Sequence, residues 1–66
     1  MDPLVARKFL NHSVEVYTRE GVFYRGSLIG IDQALNLVLE VRGTDDESNY
    51  NEIIRGDSVS VISVTE

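Results

Sequence analysis

Two short segments of this chain carry side chains able to grip a planar, polar ligand. The first, Asp32–Gln33–Ala34–Leu35–Asn36, ends in a primary amide that sets donors and an acceptor side by side. The second, Arg55–Gly56–Asp57, joins a guanidinium plane that can stack on a ring to a glycine that tolerates close approach. Asp32 is expected to brace its loop by accepting backbone N–H bonds. Asp57 is expected to accept from the Asn36 amide and so fix its direction. Asn36 could then meet a base at its edge, and Arg55 could stack on a base face. The plainer reading of both is turn chemistry, since Asp, Asn and Gly are the residues that tight loops use anyway.

Other chemistries find little footing. The chain has no cysteine and a single histidine, His12, so neither a thiolate site nor a multi-imidazole metal site can form within it. No cofactor is expected. Nucleophile–base spacing, a phosphate-cradling glycine loop and a carboxylate pair in an apolar setting are all missing from the sequence, so no enzyme is expected. Asp45–Asp46–Glu47 reads as a solvated charge run. Arg55–Gly56–Asp57 also spells an adhesion tripeptide. Without a secretory signal or disulfides that use is disfavoured, and the Asn11–His12–Ser13 sequon is coincidental for the same reason.

The elements that must position the two loops are legible from periodicity. Asp2 before Pro3 is a helix start, and Leu4, Val5, Phe9 and Leu10 give one apolar face, so a short helix is predicted over residues 3–10. Ser13 to Thr18 alternates as a strand, and Arg19–Glu20–Gly21 is a hairpin turn with Gly21 at positive φ. Residues 22–31 form a longer strand whose apolar parity changes between Phe23 and Leu28. A bulge at Gly26 would turn both inward, and strongly bent strands of this kind build small barrels. Leu35, Leu37, Leu39 and Val41 alternate perfectly, residues 43–49 are a loop, and Tyr50–Arg55 and Val59–Val64 are two further strands. The expectation is one domain over residues 1–66: all-β with a short N-terminal helix, five strands in a strongly bent, open SH3-like barrel.

With 66 residues a single core gives marginal stability. Disulfides and metals being excluded, oligomerisation is the remaining support, through the unprotected strands 50–55 and 59–64. Eleven acidic residues against six basic ones leave a net charge of −5, which argues against broad, non-specific binding of nucleic acid. No apolar run reaches even half a membrane span, and no signal peptide is seen, so a soluble, intracellular protein without a membrane or small-molecule partner is expected.

The segments Gly21 to Leu39 and Ile53 to Ile62 resemble the two halves of the motif of the Sm/Lsm family of RNA-binding ring proteins. Shared points are the spaced glycines, Asp32 and Asn36, and Ile54–Arg55–Gly56. The resemblance implies the Sm barrel, with the fourth strand of one subunit pairing with the fifth of the next to close a heptameric ring. It implies that Asn36 reads a uracil edge, that Arg55 stacks on the base, and that Asp32, Gly56 and Asp57 complete the RNA-binding site. Where the family often carries an aromatic or histidine, this chain has Ala34, which offers no stacking face. That departure and the acidity speak against a self-sufficient homomeric ring. Asp32–Gln33–x–x–Asn36–Leu37–x–Leu39 is similar to the Lsm branch that holds the uridine-rich 3′ end of U6 small nuclear RNA in splicing. The branch implies a non-catalytic subunit of a heteromeric ring, located in the nucleus, with the cytoplasm as a second location. The alternatives are the cytoplasmic mRNA-decay ring, an Sm core subunit and, from a different class, an SH3-like protein-interaction module.

Overall fold

A computed structural model describes residues 7–44 and 47–65. It contains strands β1 (Ser13–Thr18), β2 (Phe23–Ile31), β3 (Leu37–Val41), β4 (Tyr50–Ile54) and β5 (Val59–Val64). A short 3-10 turn, Gly56–Ser58, connects β4 to β5. All neighbouring pairs are antiparallel, in the spatial order β4-β3-β2-β1-β5.

The strands follow period-two burial. In β1 Val14, Val16 and Thr18 turn inward, and in β3 Leu37 and Leu39 are fully buried. With Leu28 of β2 and Ile54 of β4 they form the core, against which Tyr24, Ile31, Val59 and Ile62 pack. The edges of a flat five-stranded sheet would stand about 19 Å apart. Ile54 on one edge strand and Ile62 on the other meet one core, so the sheet must curl. Two register shifts help it bend, one between Leu28 and Gly30 in β2 and one at Tyr17/Thr18 against β5.

The bend in β2 differs from expectation. Tyr24 and Leu28 share the inner face, the parity changes at Ile29, and Ile31 then packs on the core. Phe23 does not turn inward; it is 44% exposed and lies against Tyr17 on the outer face, ring centroids 4.9 Å apart. Gly26 is needed for space, not for a bulge, because a Cβ there would stand 2.5 Å from the Glu40 carbonyl oxygen. Leu35 was expected to open β3, but the strand begins at Leu37, and Leu35 sits in the left-handed region at φ 63°. Gly21 takes its positive φ of 85° in the β1–β2 turn as expected.

Half of the helix predicted over residues 3–10, residues 3–6, lies outside the described residues. Of the rest, Arg7 is helical and residues 8–11 are turn, ending with Asn11 at φ 67°. The sheet does not close on itself: β4 and β5 are its two edges and are not paired with each other. They display Tyr50, Ile53, Val61 and Val64, with Ile53 70% exposed.

Candidate functional site

The loop between β2 and β3 is organised by one carboxylate. Asp32 Oδ1 accepts from the backbone N–H groups of Ala34 and Asn36, each at 2.9 Å. Its Oδ2 accepts from Asn36 Nδ2, also at 2.9 Å. The Asp32 N–H donates to the Asn36 carbonyl at 3.1 Å, and the Leu35 N–H to the Asp32 carbonyl at 3.0 Å. Leu35 is forced left-handed to close this loop, at a cost of about 1–2 kcal/mol. The Asn36 backbone N–H, then its side-chain amide, hold the Asp32 carboxyl below the usual carboxylate range, with the Ala34 N–H adding to this and desolvation opposing it. With its pKa lowered on folding, this group stabilises the loop above about pH 4, and the contribution is lost as pH falls through the folded value.

The second loop meets the first directly. The Gly56 N–H donates to Asn36 Oδ1 at 2.9 Å, joining residues twenty positions apart. A Cβ on Gly56 would stand 2.6 Å from the carbonyl oxygens of both Ala34 and Leu35. Arg55 Nη2 and Asp57 Oδ2 form an ion pair at 2.9 Å, with both side chains mostly in solvent.

The sequence-predicted residues Asp32, Asn36, Arg55, Gly56 and Asp57 thus form one continuous surface. Two of their expected partners differ. Asp57 pairs with Arg55, and it is Asp32 that accepts from the Asn36 amide, because Asp32 shares its loop. The space at Gly56 is occupied by the other loop, so its missing side chain serves the junction before any ligand. Sequence reasoning missed the Gly56 N–H as the group that directs Asn36. It also missed Arg7, which lines a cleft of about 370 Å³ with Ile31, Asp32, Gln33 and Leu35. Both depend on contacts between distant segments, and no local pattern announces them.

The arrangement offers a half-buried amide held from two sides and, on the residue before Gly56, an exposed guanidinium paired with Asp57. Known proteins resemble this chain along nearly its whole length. The LSM domain family matches residues 4–64. An snRNP Sm-like protein of Thermococcus sibiricus is 40% identical, over 94% of this chain and 88% of its own length. A Pyrococcus abyssi Sm protein solved in complex with a uridine heptamer is 37% identical, with a TM-score of 0.73 over 98% of this chain and 100% of its own. A heptameric archaeal Sm protein is 27% identical, with a TM-score of 0.70 over 96% of this chain and 98% of its own. By the domain match and by identity along nearly its whole length, the chain belongs to the LSM domain family of Sm-like proteins, and is non-catalytic as that family is.

Proposed function

We propose that this chain is the subunit of a heptameric ring that holds uridine-rich single-stranded RNA, one base per subunit. Asn36 reads the base edge, Arg55 stacks on its face, Asp32 and Gly56 orient the amide, and Asp57 holds the guanidinium. The observation that carries this reading is the 2.9 Å bond between the Gly56 N–H and Asn36 Oδ1, which makes the two loops one site. Support comes from relatives that bind a uridine heptamer and that assemble as heptamers. The unpaired edges β4 and β5 are the surfaces by which copies would join.

The relatives compared are archaeal Sm-like proteins. They do not support the narrower expectation of a U6-associated, nuclear splicing subunit in a heteromeric ring. They favour a ring of identical subunits, in spite of Ala34 and the acidity. Size-exclusion chromatography with light scattering separates the two, since a ring of one chain assembles without partners.

Base recognition is tested by a double-mutant cycle of Asn36→Ala and Arg55→Ala with short oligouridine. Stacking on a side chain is worth roughly 1–3 kcal/mol per base, and Arg55→Ala should fall in the lower half because Ala34 leaves the opposite face bare. Because both residues serve one nucleotide, their losses should not add. Strictly additive losses would show that these loops are only turns.

A further inference from the structure

We infer that the cleft carrying Arg25 and Arg42 is a second binding site, separate from the base site, and that it takes a ribose phosphate. The two guanidinium groups hold a phosphate monoester, and Glu40 accepts a ribose hydroxyl.

The outer face of the sheet sets these groups on a grid. Ser13, Ser27 and Glu40 lie opposite one another across β1, β2 and β3, and Glu15 lies opposite Arg25. Continuing the β2–β3 register two residues beyond Ser27 and Glu40 brings Arg42 opposite Arg25. Residues two apart on a strand share a face and stand about 7 Å from each other. The row Glu15–Arg25–Arg42 therefore runs beside the row Ser13–Ser27–Glu40.

Like charges set opposite each other destabilise a sheet. This chain has six basic residues against eleven acidic ones, and it places two of the six side by side. Glu15 answers only part of that repulsion. Its carboxylate reaches Arg25 through Nε at a loose 3.8 Å, which leaves both Nη groups available. Among the described residues Arg42 has neither an ion pair nor a side-chain hydrogen bond. A dianionic phosphate between two planar guanidinium groups meets both charges with charge-assisted bonds.

The rest of the cleft suits a sugar. Its volume of about 530 Å³ lies in the usual range of small-molecule sites, about 300–1,000 Å³. The hydroxyls of Ser13, Ser27 and Thr65 line it. Asn49 Oδ1 accepts from the Gly43 N–H at 3.2 Å, which fixes the amide and leaves its Nδ2 donor for the cleft. Glu40 also lines the cleft and would repel a bare anion. A carboxylate does accept from a ribose hydroxyl, as acidic residues do in dinucleotide sites. One row away from the arginines, Glu40 is placed for a hydroxyl on the sugar that bears the phosphate. No aromatic side chain lines the cleft, so no base is selected there. The same group occurs in a free nucleotide and at the phosphorylated end of an RNA strand.

The probe is ribose 5-phosphate, which has no base for Asn36 to meet, titrated calorimetrically against the full chain in its native assembly. It should bind saturably, and inorganic phosphate should bind about 2- to 10-fold more weakly for want of the hydroxyl. Arg42→Gln, with its fold checked by circular dichroism, should weaken ribose 5-phosphate by about 10- to 100-fold, the range for lost charge-assisted bonds. In Glu40→Ala the advantage of the sugar phosphate over inorganic phosphate should vanish. Absence of saturable binding, an affinity unchanged in Arg42→Gln, or an advantage retained in Glu40→Ala overturns the inference. So does a loss on Asn36→Ala, which would put the ligand in the base site. Unphosphorylated heptauridine reads the base site separately, and Arg42→Gln should leave that binding intact. Heptauridine with a 5′-phosphate then identifies the source. Tighter binding than the unphosphorylated strand, lost in Arg42→Gln, assigns the cleft to a strand end; equal binding assigns it to a free nucleotide, and either result keeps the site.

Discussion

At Gly56 the position a Cβ would take lies 2.6 Å from two carbonyl oxygens of the opposing loop. Neither oxygen can move without breaking the bonds around Asp32. Gly56→Ala should therefore cost about 1–3 kcal/mol of stability, the range for overpacking, and should also weaken oligouridine binding by separating the loops. Gly30→Ala is the matched control, since its Cβ would meet only Val38 side-chain atoms at an ordinary 3.6 Å. Urea denaturation of both variants checks this, and equal losses would mean that the Gly56 contact has no special cost. The Arg55–Asp57 pair belongs to a different category. Both partners are largely exposed, so the pair adds about 0–1 kcal/mol, and its consequence is the direction of the guanidinium plane.

Among the elements, β4 and β5 are the ones left with unpaired backbone groups. Monomeric proteins usually protect such edges with charge, proline or a bulge. Here β4 carries Ile53 at 70% exposure, and β5 carries Val61 at 53%. Ile53→Lys introduces the kind of charge that blocks edge pairing, at a site contributing little to the subunit's own core. The expected outcome is loss of the proposed ring, read by light scattering, with the strand signal in circular dichroism retained. An unchanged assembly would place the subunit contact elsewhere.

For the whole molecule, a net charge of −5 sets the terms on which RNA can be held. Phosphate tracking over a broad face would meet general repulsion, so binding has to come from a local site. Two of the six basic residues, Arg25 and Arg42, line a separate cleft with Ser13, Asn49 and Thr65. Arg25 lies about 20 Å along β2 from the end that carries Asp32, at about 3.3 Å per residue. It also stands 3.8 Å from Glu15, which offsets its charge. Arg25→Ala and Arg42→Ala should leave oligouridine affinity and its salt slope nearly unchanged, while Arg55→Ala lowers the affinity. Equal losses at all three positions, each flattening the salt slope by about one unit, would indicate phosphate tracking along the whole subunit.

Much of this protein is determined locally and was legible without coordinates. The bounds Ser13–Thr18 and Val59–Val64, the turn at Gly21 and the inward Leu37 and Leu39 follow from period-two alternation and turn chemistry, which act between near neighbours. The residues of the two loops were legible only through the resemblance to the Sm/Lsm motif, since Asp, Asn and Gly at such spacings also serve ordinary turns. Tertiary structure decided where β2 changes face, because the shift at Ile29 depends on pairing with β3. It decided that Leu35 leaves the strand pattern to let Asp32 close its loop. It also decided what Asn36 touches. An amide can face either way until a carboxylate on one side and a backbone N–H from twenty residues away, each 2.9 Å from it, allow only one orientation.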